Sequence, residues 1–279
     1  MESKKASSAK GKILYYLLIG VLAAIFVICA IKLVTYWTES VKAGSQYDDL
    51  ASIKGSLAAT EPSQSESSSP TTPSGNPEDT TPPEPTEPTI LPDLLPIYEM
   101  NTDTVGWITV PDTKINYPVM QTPDRQDYYL KRNFNRTWSD WGAIYAREAC
   151  DINSPSDNIT LYGHHMQDGS MFAGLDKYKK QAFWQDHQTF TFDTLYERHT
   201  YKIWAVFKTS GNSGEGYPYH LFVDASTEEE FNTFVQTIKS MEFYETGITP
   251  QYGDKLLTLS TCEYSLNNGR FVVCAMRIS

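Results

Sequence analysis

Residues 255–278 read KLLTLSTCEYSLNNGRFVVCAMRI and contain two apolar runs on either side of a polar turn. The turn EYSLNNG is rich in Asn, Ser and Gly, which favour chain reversal. The segment therefore predicts two closing strands, at 255–262 and 270–278. Side chains alternate along a strand, so Leu257 and Leu259 are expected on the core face and Cys262 on the other face, at the strand's end.

The chain upstream of this segment also favours β-structure. Runs rich in apolar and β-branched residues, separated by turn residues, predict strands at 104–110, 115–120, 142–147, 158–162, 189–195 and 200–209. Helical turns are predicted at 94–101 and 170–185. A longer helix is predicted at 226–241, behind a Ser226 or Thr227 cap. Strands dominate with helical insertions, so a closed or nearly closed β-barrel is the natural architecture.

The composition excludes one class of partner. The chain has 279 residues, 40% of them hydrophobic, and a formal net charge of -11. The length allows one domain of ordinary size plus appendages. The negative charge argues against binding to a nucleic-acid polyanion.

Residues 13–31 are a run of 19 residues without a charge, which nearly spans a hydrocarbon core of about 30 Å as a helix. Four lysines lie in the first twelve residues, so the positive-inside bias keeps the N-terminus in the cytoplasm and the bulk of the chain outside. A cleaved signal peptide is the alternative. The run is longer than a usual signal core and no small-residue cleavage site follows directly, which favours an uncleaved anchor.

The rest of the N-terminal half predicts a stalk and a spacer. Residues 32–59 are polar with scattered apolar residues and favour a continuation of the helix. Residues 61–92 hold nine Pro and twelve Ser or Thr with no basic residue, which predicts an extended, disordered spacer. The expected organisation is a cytoplasmic stub at 1–12, a transmembrane anchor at 13–37, a stalk and linker at 38–92, and one globular C-terminal domain at 93–279.

Cys262 is the first candidate for a catalytic nucleophile, because a thiol at the end of a strand is accessible and is held on a rigid element. A buried structural cysteine is the commoner state of a free thiol, and that is the expectation for Cys274, which lies within a strand. Cys150 lies in a polar stretch and is expected to be exposed. A nucleophilic thiol needs an imidazole nearby, as ion-pair partner and as proton donor to the leaving amine.

Five histidines are available. His164 and His165 follow the predicted strand NITLY and a glycine, at a strand end. His187 and His199 lie in polar stretches and are expected at the surface, whereas His220 lies in the Tyr-rich sequence YPYH and stays an open candidate. Arg270 begins the last strand, and in a hairpin it would lie close to Cys262. A planar, permanently charged guanidinium could hold a carbonyl oxygen there, although a surface arginine is the simpler interpretation.

Taken together, these motifs resemble the sortase family. The residues that carry the resemblance are Thr258-Leu259-Ser260-Thr261-Cys262, the Gly163-His164 pair and Arg270 on the following strand. The anchor, linker and C-terminal domain follow the same general layout. Within the family the chain looks most like class B, through YGHHMQDGSMF, VGWITVPDTKINYPVMQ and the helix before the cysteine strand. The resemblance covers about residues 93–279.

The resemblance implies a sortase-type β-barrel of about eight strands and a cysteine transpeptidase outside the membrane of a Gram-positive bacterium. By it, Cys262 is the nucleophile, His164 the general acid and base, and Arg270 the group that holds the oxyanion or orients the substrate. His164 is preferred to His165 because the family's histidine follows the glycine directly. The implied partners are secreted proteins with a C-terminal sorting motif and a peptidoglycan amine.

Family likeness also suggests a substrate groove lined by Leu130, Tyr162, Ser260 and Glu263. It implies no cofactor, and the sequence shows no acidic cluster or Cys/His spacing that would predict a metal. Two alternatives use other chemistry or none. A cysteine hydrolase would use the same three residues with water as acceptor, and a surface receptor on a Pro/Thr stalk would not need Cys262 at all.

Overall fold

The computed structural model describes residues 3–58 and 88–279, and divides into two compact units, Met1–Gln46 and Tyr47–Ser279. Helix α1 (Ser3–Ala58) forms the first unit and continues into the second. Over the described chain it is the one helix long and apolar enough to cross a membrane, within Leu14–Leu57. The predicted N-terminal helix of transmembrane length is confirmed, as is its continuation beyond residue 32.

Eight strands of the second unit close into a barrel in the order β1-β2-β3-β4-β7-β8-β6-β5. Their bounds are β1 Thr104–Thr109, β2 Asn116–Met120, β3 Ile144–Ala146, β4 Asn158–Tyr162, β5 Thr189–Thr194, β6 Thr200–Ser210, β7 Leu256–Glu263 and β8 Gly269–Arg277. The pairs β2–β3 and β4–β7 are parallel, and the other six are antiparallel. The predicted β-barrel of about eight strands is confirmed, and every predicted strand is present within a few residues.

Helix α2 (Leu95–Met100) precedes β1, and the later helices are insertions between strands. These are α3 (Gln181–Asp186), α4 (Glu228–Lys239) and three 3₁₀ helices at Tyr128–Lys131, Phe172–Lys179 and Tyr219–Leu221. Thr227, not Ser226, caps α4, since its Oγ1 accepts the Glu230 N–H at 3.2 Å. Three glutamates in the first turn suit the positive end of the helix dipole.

Besides the interior of the barrel, a second hydrophobic cluster lies outside the barrel wall. The apolar face of α4 packs there on β6, β7 and β8, and its members include Phe207, Tyr219, Phe231, Phe234, Ile238, Leu256, Val272 and Cys274. Leu257 and Leu259 are buried on the core face as expected, and the opposite face of β7 is buried as well. Thr258 and Ser260 on the other face are each 1% exposed, because α4 and the Tyr219 segment cover them. Cys274 is a core residue as expected.

Two residues that were predicted to lie at the surface, Cys150 and His199, are buried. Cys150 is 5% exposed, with its thiol 3.5 Å from the Asn158 carbonyl oxygen, and burial raises its pKa. His199 is 9% exposed and lies against Tyr201. Both residues lie in polar sequence, but the barrel closes over them. His187 is partly exposed, with its Nε2 2.6 Å from Asp112 Oδ2.

The C-terminal end of α1 belongs to the barrel unit. Leu50 is 2% exposed, and the Tyr47 hydroxyl donates to the Gly142 carbonyl at 2.9 Å. Lys54 lies 3.3 Å from Asp93, which is also 3.0 Å from Arg198. Burial alone would raise the pKa of Asp93, but these two cations hold it below its usual range. The compact unit thus begins at Tyr47. The predicted borders at 12, 37 and 92 stay predictions, and most of the predicted linker (59–87) lies outside the described residues.

Candidate active site at one end of the barrel

The ends of β4 and β7 and the start of β8 meet at one end of the barrel. Parallel pairing aligns Tyr162 with Ser260, and antiparallel pairing aligns Cys262 with Arg270. The alignment continues past β4, where the Gly163 N–H donates to the Ser260 carbonyl at 3.2 Å and the Thr261 hydroxyl donates to the Gly163 carbonyl at 2.7 Å. The structure therefore brings together the strand ends that carry His164, Cys262 and Arg270.

Cys262 is half-buried and lies on the outer face of β7, in line with Thr258 and Ser260. Those two residues lie under the second cluster, whereas Cys262 lies beyond its edge. Arg270 opposite shares this outer face, because directly paired residues of an antiparallel ladder point the same way. A thiol with a neighbouring guanidinium at the margin of an apolar layer is suited to nucleophilic attack on a peptide carbonyl.

His164 continues the outer face of β4, two residues past Tyr162. Its Nε2 lies 2.7 Å from the Leu130 carbonyl oxygen, which fixes the ring. Burial lowers the pKa of His164; the Leu130 carbonyl opposes this shift and Lys131 adds to it. An imidazole with a lowered pKa releases its proton more readily, as a donor to a leaving amine must.

Glycine is the one residue type that fits at position 163, directly before His164. A Cβ added there would lie 2.5 Å from Ile144 Cδ1 and 2.7 Å from Phe172 Cγ. Phe172 is fully buried, and its N–H donates to the His164 carbonyl at 2.9 Å. The missing side chain lets the Phe172–Lys179 helix pack directly beneath the histidine.

His165 points away from His164 and joins an ionic chain. Its Nε2 lies 3.0 Å from Asp176 Oδ2, and Asp176 Oδ1 lies 3.0 Å from Lys179 Nζ. Lys179 Nζ lies 3.6 Å from Glu263, directly after Cys262, and the Tyr264 hydroxyl donates to the His165 carbonyl at 3.0 Å. We call His165, Asp176, Lys179 and Glu263 the ionic chain. It connects the residue after His164 to the residue after Cys262. The preference for His164 over His165 stays a prediction.

Arg270 is anchored through one nitrogen. Its Nη1 donates to the carbonyl oxygens of Asn268 and Gly269 at 3.1 and 3.0 Å and to Asn268 Oδ1 at 2.9 Å. Within residues 3–58 and 88–279, the other guanidinium nitrogens of Arg270 have no hydrogen-bond partner. The fork therefore keeps donors for a ligand oxygen while its orientation is fixed.

The four predicted substrate contacts occupy different surroundings. Leu130 is 39% exposed beside His164, and Tyr162 is half-buried on the face that carries His164 and Cys262. Ser260 is 1% exposed and lies 2.6 Å from the Tyr219 hydroxyl, so a peptide would reach it only through Tyr219. Glu263 lies on the other face of β7 from Cys262 and accepts from Ser265 N–H at 2.9 Å. All four remain predictions.

Sequence reasoning missed Tyr219. Its hydroxyl bonds to Ser260, and burial raises its pKa to about 12 against the opposing effects of Ser260 and Arg270. The sequence YPYH drew attention to His220 alone. Arg147 Nη1 donates to the His220 carbonyl and so ties this segment to the barrel. Asp176 and Lys179 were also missed, because nothing in a single sequence marks partners so far from residue 263.

The chemistry of the site rests on its side chains. The described residues contain no group of three or more His, Cys, Asp or Glu side chains that could hold a metal ion. What the site presents is a thiol, an imidazole and a guanidinium on adjoining strand ends, which suits acyl transfer through a thioester.

Comparison with known proteins gives the same family throughout. The model of the Sortase domain matches residues 108–278. Sortase B of Listeria monocytogenes is 33% identical over 184 residues, which cover 65% of this chain and 72% of that protein. The structure of the Staphylococcus aureus sortase B–substrate complex superposes with a TM-score of 0.71 at 25% identity and covers 87% of this chain and 99% of that one.

A crystal structure of sortase B complexed with triglycine superposes with a TM-score of 0.69 at 25% identity, covering 86% of this chain and 99% of that chain. The matched domain contains strands β2 to β8, the last two residues of β1 and the three strand ends described above. From fold, site and relatives together, the chain belongs to the sortase family of cysteine transpeptidases and is most like class B.

Proposed function

We propose that Cys262, His164 and Arg270 are the catalytic residues of this transpeptidase. The observation that carries the proposal is the strand register, which aligns Cys262 with Arg270 and continues β4 into His164 on the same outer face. Tyr219 and Ser260 lie beneath this face and support it.

In the first half-reaction the Cys262 thiolate attacks the carbonyl carbon of the scissile peptide bond. Arg270 donates to the oxygen that gains negative charge. As the C–N bond breaks, His164 gives its proton to the departing amine, which leaves a thioester on Cys262. In the second half-reaction an acceptor amine attacks the thioester carbonyl, His164 takes up the proton of that amine, and the free thiolate departs.

We further propose that the donor is a secreted protein with a C-terminal sorting motif and that the acceptor is an amine of the cell wall. Two relatives support this: one solved sortase B holds a substrate, and another holds triglycine, whose terminal amine is a model acceptor. Leu130, Tyr162, Ser260 and Glu263 are the proposed substrate contacts, the last two acting through Tyr219 and the ionic chain.

The proposed setting is a single-pass membrane protein with its N-terminus in the cytoplasm and its catalytic unit outside. The apolar helix within Leu14–Leu57 supports the span, and the lysines before residue 13 support the orientation. Labelling of the N-terminal lysines with a membrane-impermeant amine reagent, in intact and in permeabilised cells, would test this topology: they should react only after permeabilisation.

The test of the reaction uses the full chain in lipid nanodiscs with a library of sorting peptides, with and without triglycine. We expect mass spectrometry to show a thioester on Cys262 and a product that carries triglycine. Cys262→Ala should abolish both, whereas Cys29→Ala, which removes an exposed thiol of α1, should abolish neither.

Two outcomes would decide against the proposal. A product that never contains the amine would identify a cysteine hydrolase with the same site. A Cys262→Ala protein that keeps its cellular function, with the fold preserved, would support the receptor alternative.

A further inference from the structure

A second site lies at the opposite end of the barrel from Cys262. Tyr201 is the second residue of β6, Ile159 is the second residue of β4, and Arg277 ends β8 there. A cavity of about 380 Å³ opens between these strands and the two loops beside them. Its lining includes Ile152, Ile159, Glu197, His199, Tyr201 and Arg277.

Two polar donors in this cavity lack acceptors. Tyr201 and Arg277 are paired directly across β6 and β8, so their side chains lie next to each other on one face. Over residues 3–58 and 88–279, neither the Tyr201 hydroxyl nor the Arg277 guanidinium has a hydrogen-bond or ion-pair partner. Tyr201 is nevertheless 2% exposed. A tyrosine buried to this extent normally has a partner for its hydroxyl.

The Tyr201 hydroxyl opens to the cavity. It is not among the side-chain atoms that protein encloses completely without a partner, and the residue lines the cavity wall. A hydroxyl donor beside a guanidinium is an arrangement that suits a bound oxyanion. On the same wall His199 Nε2 lies 3.4 Å from Glu197 Oε2.

The charges of the lining suit at most a singly charged anion. Arg277 supplies one positive charge, and Glu197 at the rim supplies one negative charge. Burial, with Arg277 next, lowers the pKa of His199, so the imidazole adds no positive charge at neutral pH. A phosphate dianion would meet too little positive charge and the repulsion of Glu197, whereas a carboxylate matches one guanidinium in charge and in planar geometry.

The apolar wall defines the rest of the ligand. Ile152 and Ile159 are 4% and 2% exposed and form the floor together with Tyr201, while Pro155 lies at the side. We propose that this cavity binds an α-carboxylate with a small apolar side chain, through Arg277 and Tyr201 as donors and Ile152 and Ile159 as apolar contacts. Such a group occurs in a free N-acylated amino acid and at the C-terminus of a peptide.

The test uses the full chain in nanodiscs and saturation-transfer NMR, with N-acetyl-leucine as the probe and empty nanodiscs as the blank. We expect saturable binding in the millimolar range, and none for N-acetyl-leucinamide, which lacks the carboxylate. The tripeptide acetyl-Ala-Ala-Leu distinguishes the sources: binding tighter than that of N-acetyl-leucine points to a peptide C-terminus, and weaker binding to a free amino acid.

Variants locate the site. Arg277→Gln should weaken binding at least about tenfold and Tyr201→Phe, which removes only the hydroxyl, several-fold to about tenfold. Glu197→Gln should strengthen binding, because it removes the repelling charge without touching the buried wall. Arg270→Gln, the matched change at the other end of the barrel, should leave the affinity unchanged.

Four results would overturn the proposal. They are equal binding of N-acetyl-leucinamide, no saturable signal for N-acetyl-leucine, loss of binding in Arg270→Gln but not in Arg277→Gln, and tighter binding of inorganic phosphate than of the carboxylate. A gain of affinity in Glu197→Gln keeps the test informative even where Tyr201→Phe unfolds.

Discussion

Gly163 shows how a single residue places His164. No side chain fits there, because Ile144 and Phe172 occupy the space that a Cβ would need. The contact brings the Phe172–Lys179 helix under the histidine, and the Phe172 N–H fixes the His164 carbonyl. A change of one methyl group at this position should therefore reach the candidate active site.

We expect Gly163→Ala to destabilise the barrel unit by about 1–3 kcal/mol through overpacking, and to lower kcat/KM for the sorting peptide. Denaturant unfolding and peptide kinetics measure the two effects. Adding Ile144→Val, which removes the Cδ1 atom nearest the new methyl group, should restore part of both. If Gly163→Ala is neutral, the close packing is not what positions His164.

Arg270 gives a second prediction at the scale of one residue. Arg270→Lys keeps the charge but loses the planar fork, so we expect kcat/KM to fall on the order of 100-fold with little change in unfolding temperature. Arg132→Lys, which changes an arginine packed on Tyr128, is the matched control and should keep near-normal kinetics. Near-normal turnover of Arg270→Lys would remove Arg270 from the mechanism.

At the scale of elements, the ionic chain joins two segments that only the fold brings together. His165 belongs to the loop after β4, Asp176 and Lys179 to the 3₁₀ helix, and Glu263 to the end of β7. Burial alone would raise the pKa of Glu263, but hydrogen bonds from Ser265 and the charge of Lys179 hold it below its usual range. The ionic chain is placed to set the separation of His164 and Cys262.

We expect Lys179→Met to lower kcat about tenfold with KM nearly unchanged, because a positioning group acts on the chemical step. The rate at which a small thiol reagent modifies Cys262 should stay normal, since the thiol itself is untouched. Lys177→Met, two residues earlier on the same helix and facing Asp112, is the control. An equal loss of kcat in both variants would indicate that the substitutions damage the helix, and would contradict a positioning role for Lys179.

At the scale of the whole molecule, the end of α1 contributes to the barrel unit. Leu50 is buried there, and Lys54 neutralises Asp93 together with Arg198. We expect Leu50→Ala to cost about 2–5 kcal/mol of unfolding free energy. Leu33→Ala, at a position 70% exposed, should change the barrel's stability by less than about 0.5 kcal/mol. Equal unfolding midpoints for the two variants would show that the barrel is independent of α1.

Two histidines whose pKa values shift in opposite directions on folding, His199 and His187, should influence how stability depends on pH. The pKa of His199 is lowered in the fold, by burial first, so the unfolded chain binds the proton more readily and stability falls as the pH drops below about 6.5. The pKa of His187 is raised, mainly by its hydrogen bond to Asp112, so its contribution is present below about pH 6.5 and is lost as the pH rises through the raised value.

Unfolding temperatures between about pH 5.5 and 7 test this assignment. The rise in unfolding temperature across this range should be smaller in His199→Gln and larger in His187→Gln than in the parent chain. Slopes that change in the same direction in both variants would contradict it.

Much of the fold could be predicted from local pattern. Alternation, turn residues and the spacing of Phe231, Phe234, Val235 and Ile238 fixed nearly every strand and helix, because these signals depend on neighbours a few residues away. The burial of Thr258, Ser260 and His199 could not be predicted. Alternation along one strand does not show that a distant helix covers its other face.

The same division holds for the candidate site. The residues Cys262, His164 and Arg270 are marked in the sequence by strand ends, a preceding glycine and a following turn. Their alignment, the support from Tyr219, the ionic chain and the cavity between Tyr201 and Arg277 exist only in the tertiary structure. Each depends on pairing between strands far apart in the chain, and such register is decided by closure of the barrel as a whole.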